Sequence, residues 1–400
     1  MPFATKTTFT AALCPAGNFW SAARGLVFTF CLIFSFANHT CAQVWTKTSA
    51  PNKSWVAVAS SADGTKLAAA FQTSGGIYTS TNAGVTWTLT SAPAKYWQVL
   101  ASSADGRVLL AAATYNSIPG GIYTSTNYGS TWVSNSVSSQ TSYQWDAAAA
   151  SADGHTLIVG GNSWSPLCVS TNTGVTWTTN GVPIAYWTSV ACSGDGTKLA
   201  ADWGGTFYSS TNAGVTWTSN NLGSSSILVS AADAAHLFLY GGSGLSVSTN
   251  WGVNWQSASQ PSGSMQMAAS ADAKRLVGLF GGSVYLSTDF GASWTTSYVT
   301  NKTWKSIGLS ADGSKMVAVS SSSSDGIFVW QPPKLLATNV AGNLAFLWPT
   351  NGTSFSLQMS TNLSATNWVN APTVPTVTNG MNQVVIMPTN GNAFFRLNAQ

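Results

Sequence analysis

The chain contains no glutamate, and charged residues are only 6% of its 400 positions. No basic block or stripe breaks this neutrality, so nucleic acid is not expected as a partner. Arginine is nearly absent: after Arg24 there are only Arg107, Arg275 and Arg396. Three of the five cysteines (Cys14, Cys31 and Cys41) lie before the repeats begin, which leaves Cys168 and Cys192. One disulfide is open to that pair, but their phases in neighbouring repeats favour unpaired, buried thiols. His155 and His236 share one turn phase, no His or Cys set has metal-ligand spacing, and no Gly-rich phosphate loop opens a helix. No metal or cofactor is therefore expected. Long apolar runs are missing as well. The longest, Leu26–Phe36, is too short to span a bilayer, follows Lys6 and Arg24, and ends in small residues. Residues 1–42 thus read as a signal peptide cleaved after Ala42, which sets the mature chain outside the cytoplasm as a secreted, periplasmic or cell-surface protein. A monomer without a transmembrane segment is expected.

What is present is repetition. STNAGVTW from Ser80 returns as STNYGSTW from Ser125, STNTGVTW from Ser170 and STNAGVTW from Ser210, then as STNWGVNW from Ser248 and STDFGASW from Ser287. The closing tryptophans (Trp87, Trp132, Trp177, Trp217, Trp255 and Trp294) recur about every 40 residues, the period of a propeller array. A second word keeps step: SADG at Ser61, Ser103, Ser151 and Ser310, SGDG at Ser193, AADA at Ala231 and SADA at Ser270. Asp-Gly between apolar alternations is a hairpin signal, because Gly supplies positive φ cheaply. In the first word the Asn side chain can bond nearby amides and tolerates the left-handed region, Gly takes the next such position, and Trp packs the turn onto its sheet.

One unit runs from Trp55 through the SADG turn, Lys66–Phe71, Gly76–Ser80 and the Ser-Thr-Asn turn to Thr88. That is four short strands, A to D, the content of one blade. Strand A begins at Trp55, Trp97, Trp145 and Trp187, near Ile227, near Met265, and at Trp304, which counts seven blades. The seventh, ending at Trp330, has no Ser-Thr-Asn turn and no strand D. Val44–Pro51 aligns with Val85–Pro93, so the N-terminal stretch is expected to supply that strand and close the ring. The fold class is all-β: a seven-bladed β-propeller over residues 43–330, a linker at 331–334, and a small β-sandwich at 335–400.

The first word resembles the Asp-box, or BNR, repeat of sialidase-like propellers, roughly Ser-x-Asp-x-Gly-x-Thr-Trp. Asn82, Asn127, Asn172, Asn212 and Asn250 replace the Asp, and Asp289 keeps it. In that family the box is a folding motif, so the resemblance implies the fold and leaves activity open. A sialidase needs an arginine triad, a Tyr–Glu pair and an Asp; this chain has neither the triad nor any glutamate. Xyloglucan-degrading Asp-box enzymes place a carboxylate pair between two propellers, and one propeller is expected here. The repeats are also similar to photosystem II assembly-factor-like propellers, which bind an exposed segment of a membrane protein but carry an arginine-rich patch. The tail resembles closing modules of secreted bacterial proteins that are suspected of surface retention or sorting.

The functional residues must come from what the repeats do not use. Seven aspartates sit in A–B turns, Asp289 in its box, and Asp325 at the head of a strand. Asp146 and Asp202 remain, able to do acid/base work on a glycoside only if about 5–9.5 Å apart. The D–A and B–C connections gather on the face opposite both repeated turns, where loop-borne function collects on a rigid scaffold. They bring Lys53, Trp55, Lys95, Tyr96, Trp97, Tyr143, Trp145, Tyr186, Trp187, Lys302 and Trp304 there, with Tyr115, Trp164, Trp203 and Tyr240. Two readings compete for the strand-A tryptophans: core wedges between blades, or a ring that stacks sugars or grips a peptide. Tyr96, Tyr143 and Tyr186, one position earlier, are the better ligand candidates, followed by Trp164 and Trp203. The expected function is non-enzymatic binding of a glycan or a protein segment. The alternatives are an assembly factor, a polysaccharide hydrolase or lyase, and a structural or adhesion protein.

Overall fold

Each SADG turn is tied down by its own side chains. In blade 2, Ser103 Oγ donates to Asp105 Oδ1 at 2.6 Å, and Asp105 Oδ1 accepts the Arg107 amide at 2.9 Å. Gly106 then takes φ +74°. The two weaker copies use Ala234 and Ala273 at the same left-handed place. The Ser-Thr-Asn turn is locked in another way. Asn172 Oδ1 accepts from Ser170 Oγ at 3.0 Å and from the Thr176 amide at 2.9 Å. Its Nδ2 donates to Thr176 Oγ1 at 2.8 Å, and Trp177 Nε1 donates to the Gly174 carbonyl at 3.0 Å. The left-handed residues are Thr173 and Gly174, not Asn172. Asn acts as the hydrogen-bond hub, and the strain falls on the next residue. In the Asp289 copy Ser293 Oγ donates to Asp289 Oδ2 at 2.6 Å, so a hydroxyl that donates or accepts lets Asn and Asp do the same work.

The two turns form one unit. The Thr173 amide donates to the His155 carbonyl at 3.0 Å, and the equivalent bond recurs in each blade that carries a Ser-Thr-Asn turn. Gly174 also sits against the preceding blade: a Cβ there would meet Thr124 Cγ2 at 2.8 Å, and its φ is +86°. Gly174→Val should therefore destabilise by about 1–3 kcal/mol without altering ligand binding. A thermal melt checks this, and an unchanged midpoint would contradict it.

The structure, a computed structural model, describes residues 45–72, 75–114, 120–135, 137, 144–162, 164–179, 181–223, 225–242, 244–259, 266–296, 302–331, 335–340, 343–349, 355–361, 368–378, 381–387 and 393–399. The signal-peptide reading and the linker residues 332–334 fall outside them. The chain divides into two compact units, Trp45–Gln331 and a second that holds Pro332–Gln400.

The first unit consists of seven four-stranded antiparallel sheets. Blade 1 comprises Trp55–Ser60, Leu67–Phe71, Ile77–Ser80 and Thr88–Leu89. Strand A of the following blades is Tyr96–Ser102, Trp145–Ala150, Ser189–Cys192, Ser225–Ser230, Gln266–Ala269 and Trp304–Leu309. In blade 7 the fourth strand is Trp45–Lys47, paired antiparallel with Trp45 opposite Trp330 and Lys47 opposite Phe328.

Two features close the ring. The apolar core is divided into seven clusters, each shared by two successive blades, and one joins Trp55 and Leu67 of blade 1 to Val317 and Val329 of blade 7. The turn Trp packs at such a seam: Trp255 of blade 5 meets Phe207 of blade 4 edge-on, with centroids 5.3 Å apart. A second girdle is backbone. The amide after each turn serine donates to its counterpart in the next blade, from Ala62 to Ala104 to Ala152 to Gly194 to Ala232, and again from Ala271 to Ala311 to Ala62. Alanine or glycine there keeps neighbouring turns within 2.7–3.2 Å.

The second unit has a four-stranded sheet in the order Leu336–Val340, Asn343–Pro349, Met381–Ile386, Thr376–Thr378. Its three-stranded sheet runs Val369–Asn370, Phe355–Ser360, Phe394–Ala399. Phe346, Trp348, Leu357, Val384 and Phe395 fill the core of this unit.

Candidate functional site

The face opposite the repeated turns is held together by bridges between B–C loops and the following D–A connection. Gly75 pairs with Lys95 and Ser165 with Ala185. Two of the strand-A tryptophans bond to these bridges. Trp97 Nε1 donates to the Gly75 carbonyl at 2.9 Å, and Trp187 Nε1 to the Ser165 carbonyl at 3.1 Å. Trp97 and Trp187 are 0% exposed and Trp145 is 2%. The ligand reading of Trp97, Trp145 and Trp187 is therefore corrected. With Trp55 and Trp304 they are seam wedges, and no ring face reaches solvent.

The other candidates separate by exposure. Tyr96, Trp203, Lys53 and Lys95 are half-buried, and Tyr240 is buried. The Lys53 ammonium lies 5.2 Å from the Phe71 ring centroid, and the Lys95 backbone is committed to the bridge with Gly75. Trp203 packs on the cluster between blades 3 and 4. Tyr115 and Tyr143 lie outside the described residues. Trp164 and Tyr186 are left as an exposed pair at 57% and 38%, with ring centroids 5.4 Å apart and planes at 64°. Ile184 beside them is exposed too. Trp164 has φ +38°, a rare backbone region for a bulky residue and one that tends to persist at functional sites.

Of the residues near the axis, the sequence pattern marks Asp146 alone, as a carboxylate outside the turns. Strand A is the inner strand, and a bulge follows its first residue in blades 1, 3, 5 and 7 and its second, Trp97, in blade 2. The extra residue is unpaired, which re-aims its side chain. Gln98 and Asp146 at these positions are half-buried, and Lys305 is exposed. Burial pushes the Asp146 carboxyl up, while a hydrogen bond from Asn162 and the Lys305 ammonium pull it down. Asp146 and Lys305 belong to blades 3 and 7, so their attraction runs across the axial opening. For the others the only sequence signal is irregularity: the residue after strand-A Trp is Val56, Gln98, Asp146, Thr188 or Lys305 in an otherwise regular strand.

Asp202 is 0% exposed, with Thr188 Oγ1 at 3.4 Å from Oδ2. An acid/base carboxyl must touch its substrate. The Asp146–Asp202 pair is thus corrected: one member is sealed in the blade. Cys168 and Cys192 are free and buried in different seams, and burial pushes both thiols up to about 12.

The opposite face carries the turn carboxylates. For Asp63 burial raises the pKa, but hydrogen bonds from Ser61 and Thr65 outweigh it and lower the pKa to about 2. Asp105, Asp153, Asp195, Asp233 and Asp312 are lowered as well. A folded pKa below the unfolded value gives stability that is full above the unfolded pKa and lost as pH falls through the folded one. The thermal midpoint should stay level from about pH 7 to 5 and fall between about pH 4 and 2. A midpoint at pH 2.5 equal to that at pH 6 would contradict the capping role.

Among the described residues no group of three or more His, Cys or Asp side chains gathers as a metal site, and no helix is long and apolar enough to cross a membrane. No protein-family model and no curated protein matches the sequence. Solved structures do. The GH74 xyloglucanase from Xanthomonas campestris superposes with TM-score 0.55 at 15% identity over 77% of this chain, and the chain spans 59% of the length of that enzyme. The structure of YCF48 bound to D1 peptide superposes with TM-score 0.55 at 12% identity, over 76% of this chain and 99% of the other. At such identities the likeness shows the fold alone, and it is that of a β-propeller.

Proposed function

We propose that the chain is a non-enzymatic binding propeller of the Asp-box type, whose variable face recognises a glycan or a protein segment. The observation that carries this reading is the exposed Trp164–Tyr186 pair on the face opposite the repeated turns, with Trp164 at a strained backbone position. Aromatic rings with only two χ angles bury apolar area at small entropic cost, which suits both ligand classes. The sealed Asp202 speaks against glycoside hydrolysis by the Asp146–Asp202 pair. The peptide in the YCF48 structure favours a protein segment as second reading, and with it a role in assembling an envelope complex. The leader-like run before residue 43 supports action outside the cytoplasm, with residues 335–400 as a sorting or retention module.

The test is a glycan and peptide array on the chain, followed by Trp164→Ala and Tyr186→Ala alongside Asp105→Ala on the other face. Either aromatic change should weaken the best ligand by about 1–3 kcal/mol, as for an interface anchor. Lost binding in Asp105→Ala with both aromatic variants silent would place the site on the other face.

A further inference from the structure

The opening on the axis differs from the aromatic pair in chemistry, yet blade 3 contributes to both. Asp146 follows Gln144 and Trp145 on strand A, and Asn162, from the B–C loop that also carries Trp164, donates to the Asp146 carboxylate. The Asn162 amide is in turn fixed by the Gln144 carbonyl at 2.7 Å. Thr188, at the next position round the ring, is exposed, but its hydroxyl is turned to Asp202, whose carbonyl it meets at 3.3 Å. Lys305 faces this group from blade 7, with Gln98 in blade 2 between them. A carboxylate, an ammonium and two amides thus gather at the axial opening, and the loop that holds Asn162 also carries the exposed Trp164.

The charges compensate. A cationic ligand drawn to Asp146 meets Lys305, and an anionic ligand drawn to Lys305 meets Asp146. A neutral polyhydroxylated ligand suffers neither penalty, since each hydroxyl both donates and accepts. It can donate to the Asp146 carboxylate and accept from the Lys305 ammonium, and both are charge-assisted bonds. Peptides offer fewer such groups per unit length. We propose that the axial opening is a subsite for one residue of an uncharged sugar chain, gripped by Asp146, Asn162 and Lys305, while a neighbouring residue stacks on Trp164 and Tyr186. This rests on the binding reading above and narrows it from glycan or protein segment to a neutral glycan.

Calorimetric titration with neutral gluco-, manno- and galacto-oligosaccharides tests the proposal, with uronate and sulfated oligosaccharides and an unstructured peptide pool as comparators. A neutral oligosaccharide should bind, with affinity unchanged between about 50 and 500 mM salt, because no net charge is paired. Asp146→Asn and Lys305→Gln should each weaken it about tenfold, the loss expected of one charge-assisted hydrogen bond, with the thermal midpoint retained. Neutral-sugar binding that is lost in Trp164→Ala but unchanged in both polar variants would overturn the axial subsite and leave the aromatic reading standing. Strong salt dependence, or binding confined to charged glycans or peptide, would likewise overturn the neutral-sugar assignment alone. No binding to any probe would remove both.

Discussion

Trp97→Ala lowers stability by about 3–5 kcal/mol and leaves ligand affinity per folded molecule unchanged. Trp97 is wholly buried, meets Tyr123 edge-on at 5.3 Å, and donates from Nε1 to a carbonyl of the preceding blade. Truncation leaves a cavity in the blade 1–2 seam and removes one of two donors to the Gly75 carbonyl, which keeps the Lys95 amide at 3.1 Å. Close-packed seams collapse little, so the cost lies in the range for large aromatics. Denaturant unfolding of Trp97→Ala beside Trp164→Ala separates the two aromatic roles. Trp164→Ala should hold stability within about 0.5 kcal/mol, as exposed substitutions do. If Trp97→Ala kept full stability and lost binding, its assignment as a wedge would be wrong.

Trp45→Ala has the second large effect, also about 3–5 kcal/mol, with a marked rise in aggregation. Trp45 is 8% exposed in the short strand that completes blade 7, and its ring lies 6.1 Å from that of Trp304. Removing it weakens the seam between blades 6 and 7 and releases the edge of Ile327–Trp330, a strand with no charged residue. An exposed apolar edge pairs readily with other chains. Light scattering during thermal unfolding should show earlier association for Trp45→Ala than for Trp97→Ala, although the two lose similar stability. Equal onset in both would argue against the edge as the cause.

The fold was legible because propeller information is local. Asp105-Gly106 and Asn172-Thr173-Gly174 each encode a turn within a few residues, and repetition supplies the count. The missing seventh turn together with the Val44–Pro51 match identified the closing strand from the two chain ends. The girdle from Ala62 round to Ala311 was not legible, since a backbone bond between blades leaves no side-chain mark beyond a small residue. The site was harder still. Trp97 and Trp164 are the same residue type on the same face, and burial separates them only after the Gly75–Lys95 and Ser165–Ala185 bridges have formed. Tyr186 is more exposed than Trp187 because the Trp187 ring turns inward to the Ser165 carbonyl, a contact no local pattern encodes. Asp146 was noticed as a carboxylate without a turn, but its link to Lys305 depends on bulges that no hydrophobic pattern encodes.

The most direct test of the account is hydrogen exchange of the chain with and without the ligand selected on the array. Protection should appear on the variable face, at Gln144–Asp146, Trp164–Leu167, Ile184–Thr188 and Trp304–Lys305, with the Ser-Ala-Asp-Gly and Ser-Thr-Asn turns unchanged. Protection confined to those turns, with Trp164 and Tyr186 unaffected, would contradict it.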